Sequence, residues 1–212
     1  MKRKSLFIVA LAAAVVVSLV VLRVTVFRER AQCPGWEVVY DGYGEVQCGS
    51  GTVDITTKSA AKPSITHGGL VVAQEEGEGR VSAKMTTLDQ VRKGQPNPWE
   101  VAWFLWRYQD PEHFYAIVLK PNGWEVSKQD PDYKGNQRFL DSGDSPTFEV
   151  GKTYEVEVTP VGEATFVIKV DGQEITTVTD RESPYLKGKV GLYTEDASVR
   201  FSDVDKGDPP GK

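Results

Sequence analysis

Trp99–Gln129 reads WEVAWFLWRYQDPEHFYAIVLKPNGWEVSKQ and holds four of the chain's five tryptophans and one of its two histidines. Two turn signals divide it, Asp110-Pro111-Glu112 and Pro121-Asn122-Gly123, where proline and glycine supply the backbone angles that turns need. The stretch is therefore read as three antiparallel strands. A turn centred on Asp110 and Pro111 pairs Trp103 with Val118, Leu105 with Ala116 and Arg107 with Phe114. A three-residue loop over Pro121–Gly123 pairs Val118 with Val126 and Lys120 with Trp124. Because side chains alternate along a strand, one face then carries Val101, Trp103, Leu105, Phe114, Ala116, Val118, Trp124 and Val126, and is expected to be the core face. The other carries Glu100, Phe104, Trp106, Tyr108, His113, Tyr115, Glu125, Ser127 and Gln129.

Outward from this stretch the pattern stays that of strands. Strands are expected at Trp36–Tyr40, with Glu45–Cys48 as its hairpin partner across Asp41-Gly42-Tyr43-Gly44, and at Thr52–Thr57, where Val53 and Ile55 share a face. Gly69–Ala73 is a short apolar run, and Arg80–Leu88 alternates with Val81, Ala83, Met85 and Leu88 inward. After a polar stretch with a short strand at Gln137–Leu140, Thr153–Thr159 alternates strictly, with Tyr154, Val156 and Val158 inward and Glu155 and Glu157 outward. Thr165–Val170, the dipeptide Asp171-Gly172 and Ile175–Thr179 make a two-residue hairpin. Lys189–Tyr193 and Ser198–Val204 are expected as the closing pair. No segment beyond residue 30 sustains a helical apolar stripe. About a dozen strands with turn signals at intervals of roughly 8 to 12 residues predict an all-β sandwich of two antiparallel sheets in one domain over 36–205, followed by a tail at 206–212.

Charge is divided unevenly along the chain. Residues 1–30 carry a net +5, so the whole-chain value of −5 leaves −10 on the remainder. An acidic body without a basic stripe lacks the footprint that neutralises phosphates, which excludes nucleic acid as an expected partner. Lys2, Arg3 and Lys4 precede Leu6–Leu22, whose only polar member is Ser18, and Val24–Phe27 extends the run. That length suits a membrane-spanning signal anchor over 1–30, contacting the membrane through residues 6–27, with 31–35 as linker and the body outside the cytoplasm. A cleaved signal and a secreted body is the alternative. In an exported chain, Cys33 and Cys48, the only two cysteines, are expected to form a disulfide.

Four segments point to a family. Gly188-Lys189-Val190-Gly191-Leu192-Tyr193 and Val199-Arg200-Phe201-Ser202-Asp203-Val204 resemble the end of concanavalin A-like jelly rolls. Trp36-Glu37-Val38-Val39-Tyr40-Asp41-Gly42 and Gly123-Trp124-Glu125-Val126 fit the same pattern. More narrowly, the chain is similar to the 3-keto-disaccharide hydrolase domain, a relative of the family-16 glycoside hydrolases. The resemblance implies a ligand face on one sheet and a structural calcium held by Asp41, the Gly42 carbonyl and Asp203. It departs from the family-16 enzymes in lacking their Glu-x-Asp-x-x-Glu strand. Glu155-Val156-Glu157 lacks the central aspartate, and both of its carboxylates are read as facing solvent.

Flat aromatics beside hydrogen-bonding groups are what a sugar site needs, since rings stack on pyranose C–H faces while carboxylates and amides bond the hydroxyls. Glu100, Trp106, Tyr108, Tyr115, Ser127 and Gln129 are therefore the expected ligand contacts. Glu125 is the expected general acid or base and His113 its partner if the protein is catalytic, as a glycoside hydrolase or lyase. Arg107, Lys128 and Arg138 are candidates for orienting a ligand, and His67 is read as a loop residue. The expected function is carbohydrate binding. Glycoside cleavage and a non-catalytic structural role in the cell envelope are the alternatives.

Overall fold

The computed structural model describes residues 33–62 and 64–209, so the expected anchor and its boundaries lie outside the described residues. Fourteen strands are present: β1 (Trp36–Asp41), β2 (Glu45–Cys48), β3 (Thr52–Thr56), β4 (Gly68–Ala73), β5 (Val81–Gln90), β6 (Ala102–Asp110), β7 (His113–Lys120), β8 (Gly123–Gln129), β9 (Gln137–Gly143), β10 (Thr153–Pro160), β11 (Thr165–Val170), β12 (Gln173–Thr179), β13 (Lys189–Glu195) and β14 (Ala197–Asp205). They form two seven-stranded sheets, ordered β1-β4-β13-β6-β7-β8-β9 and β12-β11-β10-β5-β14-β3-β2. Every pairing between named strands is antiparallel. The two-sheet antiparallel sandwich read from the sequence is the fold.

Two expected pairings are corrected. β1 pairs with β4 rather than with β2, and β13 and β14 lie in opposite sheets instead of forming a closing pair. In both cases the intervening turn carries the chain from one layer to the other. Tyr43 at φ 58° and Gly42 at φ 64° make the first crossing, and Asp196 at φ 43° makes the second. By contrast, Asp171 (φ 49°) and Gly172 (φ 77°) both take the left-handed angles of a two-residue hairpin between β11 and β12.

Between the sheets lies the main core. Sheet one contributes Val71, Phe104, Trp106, Tyr115, Ile117, Leu119, Trp124, Val126 and Leu192, and sheet two contributes Ile55, Met85, Val156, Phe166, Ile168, Val199 and Phe201, among others. Val53, Ile55, Val81, Ala83, Met85, Val156 and Val158 face inward as their alternation requires. Leu88 is exposed: alternation from Val81, Ala83 and Met85 puts it on the outer side with Lys84 and Thr86, and it is the unpaired residue where the register steps from Thr87–Val199 to Asp89–Ser198.

Cys33 and Cys48 are bonded, with Cα atoms 5.2 Å apart. The bridge joins the segment entering β1, at the edge of one sheet, to β2, at the edge of the other. With 15 residues of sequence separation, replacing both cysteines by serine is expected to lower stability by about 3 kcal/mol. Urea denaturation of the double variant against the oxidised wild type measures it.

Candidate functional site

The outer faces of the two sheets differ in kind. On the β5-β14-β3 sheet the outer face is polar and cross-linked by solvated pairs. Arg200 makes a two-point contact with Asp54 (2.7 and 2.8 Å), Thr56 meets Ser198 (2.8 Å), and Lys84 reaches Asp203 (2.8 Å). Glu155 and Glu157 belong to this face, where Arg80 donates to Glu157. The outer face of the other sheet instead carries a second apolar cluster of Leu70, Val72, Val101, Trp103, Leu105, Tyr108, Ala116 and Val118, flanked by Val39, Phe114 and Tyr193. An antiparallel sheet normally exposes a polar face to water. Most of this cluster is nevertheless closed to water, Trp103 being 8% and Val118 0% exposed, and the open rings stand at its margin.

Register orders this face into rows. One row crosses all seven strands as Tyr40, Leu70, Tyr193, Trp103, Val118, Glu125 and Ser142. The next runs Glu37, Val72, Gly191, Leu105, Ala116, Ser127 and Phe139. In the first row Tyr193 stands edge-on to Trp103 (centroids 5.2 Å apart) and to Tyr40 (6.4 Å). Two residues beyond the second row, Tyr108 and Phe114 stack with centroids 6.1 Å apart. Gly191, Ala116 and Ser127 thus form a low strip between two ranks of rings about 13 Å apart along β7, at roughly 3.4 Å per residue. The residues along the middle are closed off while the sheet's flanks stay open: Leu105 and Ala116 are 0% exposed, whereas Tyr40 is 39% and Phe139 55% exposed.

Polar groups border the strip. Glu125 pairs with Lys120 at 2.8 Å, and the amide of Gln137 donates to Ser127 Oγ at 3.2 Å. Tyr193 donates its hydroxyl to Glu195 at 2.7 Å. Burial, and then the neighbouring Asp196 and Glu100, raise the pKa of Glu195 against the lowering effect of the Tyr193 bond. Burial raises the Tyr108 phenol to about 12.

The face assignment expected from the sequence is therefore corrected, for three physical reasons. Trp103 does pair with Val118 and Trp106 with Tyr115, but the inter-sheet side is the one bearing Phe104, Trp106 and Tyr115. Trp106 and Tyr115 are core residues, and Tyr115 donates its hydroxyl to Asp180 at 2.7 Å. Second, Arg107 at φ 49° occupies a bulge in β6, which sends Tyr108 to the outer face. Third, the β7–β8 loop spans only Pro121 and Asn122, so Val118 faces Glu125 and Lys120 faces Gly123. Gly123 is required there: at φ 129°, a Cβ would stand 2.0 Å from the Gly143 carbonyl oxygen. β8 therefore keeps its expected sides, with Trp124 and Val126 in the core and Glu125, Ser127 and Gln129 outside, but the one-residue shift sets Glu125 and Ser127 on the face of Trp103 and Leu105 instead of that of Trp106 and Tyr115.

The other expected site residues are dispersed. Glu100 is fully buried and accepts from Arg92 and Asn97 rather than facing a ligand. His113 bonds Asp110 at 2.8 Å in the β6–β7 turn, five residues along β7 from the partner of Glu125, or roughly 17 Å of strand. The structure does not bring these two together. Nor does it gather Asp41, Gly42 and Asp203. The Gly42 carbonyl accepts from Lys58 beside Thr57, which pairs with Ala197, whereas Asp203 lies about 20 Å further along β14 with its carboxylate on Lys84. Among the described residues no cluster of three metal-ligating side chains is present. Lys128 and Arg138 serve a different purpose: they hold the 180–185 loop through Asp180 and Glu182, and Arg138 also meets Asp130 at the end of β8. His67 is a loop residue bonded to the Lys58 carbonyl and to Asp196.

No family model matches the chain, and no curated protein does. Among solved structures, the carbohydrate-binding module CBM66 from Bacillus subtilis superposes with a TM-score of 0.60 at 17% identity, covering 82% of this chain and 95% of the module. A native glycosidic hydrolase gives 0.56 at 13% identity, covering 85% of this chain and 92% of that one. A prokaryotic β-1,3-1,4-glucanase from a mouse hindgut metagenome gives 0.53 at 15% identity, covering 82% and 92%. The fold is the concanavalin A-like jelly roll.

Proposed function

We propose that the protein binds carbohydrate on the outer face of the β1-β4-β13-β6-β7-β8-β9 sheet. The observation that carries this reading is the contrast between the two outer faces: one is solvated, and the other sets ranked aromatic rings beside Glu125, Lys120, Ser127 and Gln129. Rings offer C–H-stacking surfaces to a sugar, and the bordering groups bond its hydroxyls. CBM66, which covers nearly the same length of chain, supports the reading.

Binding is favoured over cleavage by the spacing of carboxylates. Two-carboxylate glycoside hydrolysis uses groups about 5 to 9.5 Å apart. Glu125 on β8 is in register with Tyr193 on β13 through Val118 and Trp103, three strand spacings or about 14 Å away, and Glu195 lies two residues further along β13. The disulfide supports a body outside the cytoplasm, and the apolar run at residues 6–27 supports a membrane tether for it.

Full-length protein on a glycan array is expected to show saturable binding. Tyr40→Ala, at the exposed end of the aromatic row, is expected to weaken it about tenfold, and Trp103→Ala to abolish it. Trp106→Phe, inside the sandwich, leaves it unchanged. Binding that survives Trp103→Ala in a folded protein overturns the assignment of this face.

A further inference from the structure

At one end of the sandwich a cavity of about 260 Å³ opens between the sheets. Val158, Phe166 and Val190 lie at its base but are almost wholly closed off. The surface that the cavity opens to solvent is mostly polar, and its accessible lining groups include Arg107, Lys189, Glu78, Gly79 and Gly162. Reciprocal backbone bonds between Glu78 and Asp208 (2.8 and 2.9 Å) fix one side of the mouth. Gly188 lets the opposite wall approach β6, since a Cβ there, at φ 149°, would meet the Arg107 carbonyl carbon at 2.5 Å.

Arg107, the bulge residue of β6, is held in place but left unpaired. Its guanidinium carbon lies 4.7 Å from the centroid of the Phe166 ring, and Nη1 donates to the carbonyls of Glu163 (2.5 Å) and Tyr185 (2.6 Å). Nε and Nη2 bond to nothing among the described residues, and neither is closed off from solvent. This free edge is the fork that a carboxylate accepts with both oxygens. Burial lowers the pKa of Arg107 against smaller opposing effects of Tyr115 and Glu163. Lys189 stands in register with Tyr108, beside Arg107. Among the described residues neither base forms an ion pair. Glu78 is the single acid among the lining side chains, so one positive charge is left over. A Cβ added at Gly79 or Gly162 would meet nothing within 4 Å, and the N–H of neither enters a backbone bond among the described residues.

We propose that this cavity binds a sugar acid, a monoanion of the size of one hexuronate, whose carboxylate accepts from Nε and Nη2 of Arg107 with Lys189 beside it. The hydroxyls of such a ligand are served by the bare peptide groups at Gly79 and Gly162. One surplus positive charge suits a single carboxylate better than a doubly charged phosphate. The volume corresponds to about eight or nine waters at roughly 30 Å³ each, room for one sugar ring and not for a chain. None of the aromatic outer face takes part, so this site stands or falls apart from the one proposed there.

The probes are D-glucuronate, D-glucose and inorganic phosphate, each titrated into the full-length protein by calorimetry. Glucuronate is expected to bind at one site, at least tenfold tighter than glucose, which has the same ring without the charge, and tighter than phosphate. Arg107→Gln keeps an N–H donor and removes the cation, and is expected to weaken glucuronate at least tenfold, as loss of hydrogen bonds to a charged group does. Because Arg107 also holds two carbonyls, Glu78→Gln is the second variant. It changes an exposed side chain at the mouth and is expected to tighten glucuronate about twofold to fivefold, the scale of an exposed charge interaction. No saturable binding of glucuronate, equal affinity for glucose, phosphate binding as tightly as glucuronate, or no gain in Glu78→Gln would each overturn the proposal.

Discussion

Arg92→Met is expected to lower the stability of the protein by about 3 to 5 kcal/mol, the cost of stranding buried charges. Arg92 is buried beside Glu100 and Asp196, both of which are fully buried. Its Nε donates to Glu100, its Nη2 to Asp196 at 2.5 Å, and its Nη1 to the Lys62 carbonyl at 3.1 Å. Around this one cation the chain folds the end of β5, the turn before β6 and the β13–β14 crossing into a single knot. Removing it leaves two carboxylates facing each other without water. One cation thus serves two carboxyl groups, and Glu100 Oε2 already lacks a donor among the described residues. Adding Glu100→Gln and Asp196→Asn to Arg92→Met is therefore expected to recover most of the loss. The check is the urea midpoint of the single and triple variants. A single-variant loss below about 1 kcal/mol, the range of exposed pairs, would contradict the account.

The second large effect is expected at the other end of the sheet. Lys128 is fully buried, with Nζ donating to the carbonyls of Glu182 (2.7 Å) and Ser183 (2.9 Å) and lying 2.9 Å from Asp180. Lys128→Met leaves the buried Asp180 without its cation and the two carbonyls without this donor, and a loss of about 3 to 5 kcal/mol is expected. The loop 180–185 is expected to become protease-sensitive at the same time. The pH dependence has a definite sign. Burial raises the Asp180 pKa, but donation from Tyr115, the Glu182 backbone N–H and Lys128 outweighs it, and the net direction is down. Its stabilising contribution is therefore present above the ordinary value of 3.8 and lost as pH falls through the depressed one. Burial raises Asp196 and Glu195 instead. Their contributions are present below the ordinary carboxylate range and lost as pH rises through the raised values. Acidification is thus expected to loosen the 180–185 loop while relieving the Arg92 knot. Hydrogen exchange at pH 3 and pH 7, compared segment by segment, reads both signs.

Most of the sheet architecture was legible because period-two alternation survives wherever one face is wet. Val156 and Val158 against Glu155 and Glu157 leave no choice of side. β6 and β7 offered no such contrast, since both of their faces are apolar, Phe104 and Ile117 inside and Leu105 and Val118 outside. Polarity therefore could not say which face meets the second sheet. The bulge at Arg107 carries no local signature, as it depends on the close approach of Gly188. The buried ions were hidden for another reason: Arg92 and Asp196 lie 104 residues apart in sequence, and nothing near either one announces its partner. The disulfide was legible because two cysteines allow one pairing.

The strand order has a kinetic consequence. β6 to β9 and β10 to β12 are joined by short connections and can close as soon as they emerge from synthesis. β3 can pair with β2 early, but its other neighbour is β14, with Asp54 and Arg200 separated by 146 residues. β4 likewise waits for β13. Both layers are thus completed by strands from the last twenty-five residues or so of the chain, and contacts this distant fold slowly. Until then the apolar sides of β3 and β4 have open edges, and their protection is a matter of timing rather than of stability.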